Sequence, residues 1–177
     1  MRIAAQEPVK PAVLPLAGLP AEERAALLAL NEAHAELTSH LSPEDWERMI
    51  RTAALAIGLP GAAGFLLAFD RESDYGGLHF SWFRNRFERF LYVDRIVTDP
   101  SRRGRGLGRA LYEAAFAHAR AAGLPRVACE IYRKPPNRVS DAFHEALGFR
   151  EIALVERAEI GKTVRYMTRE IPLRARR

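Results

Sequence analysis

Cysteine is nearly missing from this chain. Among 177 residues there is one, Cys129, which rules out an intrachain disulfide and a four-cysteine zinc site. A single thiol fits a reducing compartment, and a cytoplasmic location is expected. No spacing of His, Asp and Glu resembles a metal site. Long apolar runs are also missing. The segment Val13–Leu19 is short and broken by Pro15, which argues against a signal peptide. Thr52–Phe69 carries no charge but holds Gly58, Pro60, Gly61 and Gly64. A helix end, a turn and a strand explain it better than a membrane span. No internal repeat or low-complexity tract is present.

What is present describes an ordinary folded domain. Hydrophobic residues make up 48% and charged residues 28%, enough for one core without staples. Four prolines between Pro8 and Pro20 mark residues 1–19 as an extended arm, with a first strand near Ala12–Leu16; the folded domain is residues 20–177. The net charge is +5. An Arg-rich solvated surface accounts for much of it, but Arg102, Arg103, Arg105 and Arg109 are concentrated enough to suggest an anionic ligand. No nucleic-acid motif accompanies them, and neither a nucleic acid nor a membrane is expected as partner.

Patterning divides the chain into alternating elements. Pro20, followed by Glu22 and Glu23, starts a helix expected to reach about Ser39. Ser42-Pro43-Glu44-Asp45 caps a second, expected to reach about Ile57 and stop at Gly58. Gly64–Phe69 and Phe90–Thr98 read as strands. Between them Asp70–Gly77 reads as a loop, and the aromatic stretch Leu78–Phe90 fits either a strand or a short helix. A helix from about Gly106 to Ala122 ends at Gly123. A strand at Arg126–Tyr132, a helix at Val139–Leu147 and strands near Arg150–Arg157 and Thr163–Ile171 follow. Glu159–Lys162 turns the last hairpin.

The segment that carries chemistry is Arg103-Gly104-Arg105-Gly106-Leu107-Gly108-Arg109. It lies between a strand and a helix, where unpaired N–H groups and the helix dipole attract anions. Glycines let a diphosphate approach the backbone, and arginines add charge. No Gly-x4-Gly-Lys-Ser/Thr string exists, which excludes a P-loop. The dinucleotide pattern Gly-x-Gly-x-x-Gly also fails, because Arg109 or Leu111 stands where its last glycine belongs. Arg-x-x-Gly-x-Gly is complete in Arg103, Gly106 and Gly108.

This block, together with Asn137-x-x-Ser140-x-x-Phe143-His144-x-x-x-Gly148-Phe149, resembles the GCN5-related N-acetyltransferase superfamily. The two motifs span about Phe90–Phe149, in the family's order. The resemblance implies a single α/β (α+β) domain, with a mixed, mostly antiparallel, splayed sheet flanked by helices on both faces. It implies acetyl-CoA as cosubstrate and transfer of acetyl to a primary amine of a small molecule or peptide. Backbone amides from Gly104 to Arg109 would hold the pyrophosphate. Ile96, Val97 and Thr98 would pair with the pantetheine arm, Asn137 would bond to it, and Phe143 would pack beside it. Ser140 stands where alanine is frequent. Homodimers are common in the family; nothing in this sequence specifies one.

In similar enzymes a tyrosine directly after the position of Phe143 is often the proton donor to the leaving thiolate. Here that residue is His144. It is expected to act as the acid, since imidazole can donate through an N–H in either charge state. Its departure from tyrosine keeps a second reading open, a module that binds acyl-CoA without turnover. For the base, Asp94 is the first candidate: a carboxylate on a central strand is unusual. Strand alternation would put it on one face with Tyr92, Ile96 and Thr98. A structural ion pair with an arginine is the alternative, and Glu130 on the next strand is a second candidate. A chain of waters could replace both.

Overall fold

The computed structural model describes residues 11–134 and 136–173. The first ten residues of the expected arm lie outside them. The strand expected near Ala12–Leu16 is reduced to β1, Leu14–Pro15, and a single helical turn follows it. The remaining elements are α1 (Ala21–Glu32), α2 (Pro43–Thr52), β2 (Leu55–Leu59), β3 (Gly64–Asp70), α3 (Leu78–Arg84) and β4 (Leu91–Thr98). They continue with α4 (Leu107–Ala121), β5 (Arg126–Lys134), α5 (Arg138–Ala146), β6 (Arg150–Arg157) and β7 (Lys162–Glu170).

The described strands form one sheet in the order β1-β2-β3-β4-β5-β7-β6. Every neighbour pair is antiparallel except β4 and β5. Two apolar cores cover its faces. One contains Leu66, Val93, Leu111, Ala115 and Phe149, and buries α4 and the end of α5. The other contains Trp46, Phe65, Leu67, Phe80, Phe83 and Tyr92, and buries the first three helices. The α/β fold with helices on both faces is the one expected.

Two helices end sooner than patterning predicts. α1 stops at Glu32 rather than near Ser39 because its last turn binds the chain that follows. Asn31 Nδ2 donates to the Ser39 carbonyl at 2.9 Å, and Leu41 N–H donates to Glu32 Oε1 at 2.9 Å. These bonds fold residues 33–42 back across the sheet. α2 begins as predicted, with Ser42 Oγ accepting from Asp45 N–H at 3.0 Å. It ends at Thr52, and Leu55–Leu59 becomes a strand paired with Gly64–Ala68. Pairing with a buried neighbour outweighs the local helical preference of Ala-Leu-Ala-Ile. The ambiguous aromatic stretch is a helix where it begins: Phe80 and Phe83, three residues apart, are fully buried on one side of α3.

Candidate active site

β4 and β5 are paired only at Leu91↔Val127 and Tyr92↔Ala128. Beyond Tyr92 the two central strands part. β3 still pairs with β4 on its other edge, and β7 with β5. The inner edges of Val93–Thr98 and Cys129–Lys134 therefore present backbone donors and acceptors to the gap rather than to each other. A cavity of about 140 Å³ occupies the gap, lined among others by Asp94, Ile96, Tyr112, Glu130, Asn137 and His144. It has room for reacting groups of two small substrates, not for the full length of a nucleotide cofactor.

α4 begins on the phosphate-loop motif. Gly104 and Gly106 have φ of +76° and +71°, and Gly106 is the N-cap, with no side chain capping the first turn. Left-handed backbone there costs an L-residue about 1–2 kcal/mol, so glycine is required by conformation. The first-turn N–H groups of a 15-residue helix stay open to an anion. Arg103, Arg105 and Arg109 are exposed around them. Gly108 has a different task. A Cβ there would lie 2.9 Å from Phe143 Cζ, so this glycine lets α5 press against α4.

α5 is set by Asn137, whose Oδ1 accepts from Ser140 N–H at 3.1 Å. Asn137 is thus a helix cap as well as a cavity residue. The amide NH2 group is the part of its side chain that can serve a ligand. Arg165 on β7 anchors the same helix, donating to Asp141 at 2.6 Å, Glu145 at 3.1 Å and Glu151 at 2.7 Å.

The acid and base candidates are constrained by their partners. His144 is buried. Its Nδ1 lies 2.7 Å from the Ser140 carbonyl, and its Nε2 lies 2.7 Å from the Tyr112 hydroxyl. A carbonyl only accepts, so Nδ1 carries the proton; in the neutral ring Nε2 is the acceptor and Tyr112 the donor. Burial favours that neutral ring by lowering the His144 pKa. Both nitrogens are occupied, and neither directs an N–H into the cavity.

The alternation expected of β4 is broken. Leu67 pairs with Arg95 and the next residue, Ala68, pairs with Val93. Asp94 is therefore the extra residue of a β-bulge. The phase reverses there: Ile96 packs with Val93 and Leu91 on the α4 face, whereas Tyr92 and Val97 share the opposite core. Tyr92, Asp94, Ile96 and Thr98 do not form one face. Asp94 Oδ2 accepts from Arg95 Nε at 2.8 Å, and Oδ1 accepts from the Tyr75 hydroxyl. Arg95, 6% exposed, also donates to Asn31 at 3.0 Å and to Ser39 at 3.2 Å. Asp94 is thus the counter-ion of a buried arginine, the structural alternative.

Glu130 is in the opposite situation. Its Oε2 is buried without a hydrogen-bond partner among the described residues. Burial, followed by the charge of Asp94, raises its pKa to about 8, while a hydrogen bond from Tyr92 opposes the rise. A carboxyl whose pKa is raised by burial beside a cavity is suited to accept a proton there. Sequence reading ranked Glu130 second and passed over Tyr112, which lies inside an apolar helix pattern; its spacing of four from Gly108 was the available signal.

A parted parallel pair with an open glycine-led helix start beside it is the framework of the acyl-CoA-dependent N-acetyltransferases. The model of the acetyltransferase (GNAT) family matches residues 29–149, and the chain belongs to that family. A mycothiol acetyltransferase from Salinispora tropica is 38% identical over 91 residues, covering 50% of this chain and 29% of the relative. The chain thus spans less than a third of the length of that curated relative. A GCN5-related N-acetyltransferase from Kribbella flavida superposes with a TM-score of 0.67 at 18% identity, over 93% of this chain and 99% of that one. An aminoglycoside 6'-N-acetyltransferase complexed with coenzyme A gives a TM-score of 0.67 at 14% identity, over 93% and 99%. At these identities the likeness is one of fold.

Proposed function

We propose that this protein transfers acetyl from acetyl-CoA to the primary amine of a small molecule or peptide, by direct attack within a ternary complex. The observation that carries the proposal is the parting of β4 from β5 immediately after Tyr92↔Ala128, with the open N-terminus of α4 beside it. Amides of Gly104–Arg109 hold the pyrophosphate, and Arg103, Arg105 and Arg109 neutralise it. The pantetheine arm lies along Ile96, Val97 and Thr98 in the place of a missing strand. Asn137 donates its NH2 to the arm, with Ser140 and Phe143 forming the wall beside it. The thioester then lies in the cavity.

Glu130, rather than the ion-paired Asp94, takes the proton that the attacking amine must lose. Direct attack is favoured over an acyl-enzyme because burial pushes the only nucleophile of sulfur type, Cys129, up and keeps it a thiol. His144 acts at the sulfur end, through its hydrogen bond to Tyr112. Mycothiol-type, aminoglycoside-type and peptide amines all belong in the acceptor screen, since relatives or fold neighbours bear those names. No described helix is long and apolar enough to cross a membrane, and a single buried thiol suits the reducing cytoplasm.

Calorimetry with CoA and a CoA-release assay over an amine panel test the proposal. Stoichiometric CoA binding with turnover of at least one amine is the expected result. Stoichiometric binding without turnover across the panel would instead favour an acyl-CoA sensor, and no affinity for CoA would remove both readings.

A further inference from the structure

The tyrosine that the family resemblance expects after Phe143 is replaced by His144, and His144 spends both nitrogens on protein partners. A tyrosine hydroxyl nevertheless reaches this point from another helix. Tyr112 stands on α4, one turn after Gly108, and its oxygen meets His144 Nε2 at 2.7 Å. Both residues line the cavity between β4 and β5, beside Ile96, Asn137 and Ser140. Cys129 lines the same cavity.

We infer that the Tyr112 hydroxyl is the group that meets the CoA sulfur, and that His144 is the positioning residue that decides which way its O–H points. The inference rests on the acetyl-CoA reading above. With a neutral ring the direction is fixed: Tyr112 O–H donates to Nε2, and Nδ1–H donates to the Ser140 carbonyl. With a protonated ring, Nε2–H donates to the Tyr112 oxygen, and the tyrosine proton is free to turn toward sulfur.

Proton delivery then balances. As the tetrahedral intermediate collapses, the C–S bond breaks and its electron pair goes to sulfur. The tyrosine proton moves to sulfur while the imidazolium Nε2 proton moves to the tyrosine oxygen. The products are CoA thiol, neutral tyrosine and a neutral ring protonated on Nδ1, which is the hydrogen-bond direction described for the resting protein. The ring regains its proton from solvent before the next turnover. The developing thiolate itself favours the imidazolium, offsetting the burial that disfavours it.

The charged and titratable groups facing His144 are few. Asp141 on its own helix favours the cation and Arg165 on β7 opposes it. Arg165 is itself bound by three carboxylates. Tyr112 approaches from α4, and Cys129 approaches the tyrosine from β5. Phe143 and Phe149 enclose the ring, with centroids 5.4 Å from it.

The test uses the full chain with CoA itself, so it needs no acceptor. Calorimetry first establishes CoA binding for wild type and Tyr112→Phe; absence of binding to wild type would sink the acetyl-CoA reading and this inference with it, whereas binding with an unchanged thiol titration would sink this inference alone. Thiolate absorbance of bound CoA is then followed against pH. The expected result is an acid dissociation constant for the bound thiol at least tenfold larger in wild type than in Tyr112→Phe. Nitrogen-15 NMR of His144 is expected to report a proton on Nδ1 alone in the free protein, and a second proton gained as the thiolate forms. In His144→Phe the thiol still ionises, but without proton uptake by the protein. Equal thiol titration in wild type and Tyr112→Phe, or a ring protonated on Nε2 in the free protein, would overturn the inference. If Tyr112→Phe unfolds, the NMR titration of wild type decides it alone.

Discussion

Gly108 and Phe143 meet where α4 and α5 pack: a methyl group on the glycine would sit 2.9 Å from the ring's Cζ. The contact brings His144, the next residue, to Tyr112, one turn further along α4. Helix approach and hydrogen-bond geometry are therefore one construction.

Gly108→Ala is expected to cost about 1–3 kcal/mol, the range for overpacking a tight contact. CoA affinity should fall with it if Phe143 borders the pantetheine arm as proposed. Urea unfolding and calorimetry measure the two effects. A substitution that left both unchanged would mean that Phe143 yields freely.

Gly106→Ala tests the phosphate site differently. No atom of the described residues lies within 4 Å of the added Cβ, and φ is +71°, so the cost is conformational, about 1–2 kcal/mol. A first turn pulled out of the left-handed N-cap should weaken CoA binding by about tenfold or more, or 1.4 kcal/mol. Retention of wild-type Kd would place the diphosphate elsewhere.

Glu130→Gln should reduce kcat at neutral pH by about 10²–10⁴-fold, the usual contribution of a general base, and leave the Kd for CoA unchanged. Wild type should show an acid limb near pH 8, following the raised carboxyl, and the variant should lose it. Stability supplies an independent check. The folded pKa exceeds the unfolded one, so between about 4.5 and 8 the folded state holds more protons. Stability is therefore lost as pH rises through that window. Glu130→Gln should flatten the slope seen in wild-type thermal unfolding.

Asp94→Asn separates structure from catalysis. It leaves Arg95, with a side chain 5% exposed, facing a neutral group. Removing one partner of a buried ion pair costs about 3–5 kcal/mol. The acid limb should persist and move to lower pH, because the charge of Asp94 contributes to raising Glu130. Complete loss of the limb at retained stability would restore Asp94 as the base.

The glycine–arginine turn was readable because its pattern is local. Alternating Gly and Arg between a strand and a helix needs only neighbouring residues to form an anion site. The same holds for the cap at Ser42. Strand Leu55–Leu59 was hidden because its apolar residues suit a helix equally, and only pairing with β3 decides. The end of α1 was hidden for a related reason: Asn31 and Glu32 bind residues that come later in the chain.

For Asp94, Glu130 and His144 the sequence offered alternatives and no means of choosing among their surroundings. One bulge on β4 determines that Asp94 meets Arg95 and Tyr75. The parting of β4 and β5 leaves a Glu130 oxygen buried without a partner among the described residues, and a helix crossing gives the Nε2 of His144 a tyrosine partner at the cavity wall. Sequence alone determined the family, the glycine–arginine turn and most of the elements, because these follow from backbone propensity and residues close along the chain. Which carboxylate is neutralised, which titrates and which nitrogen carries a proton depend on distances between segments far apart in sequence. Those distances exist only once the sheet and its two helical layers have closed.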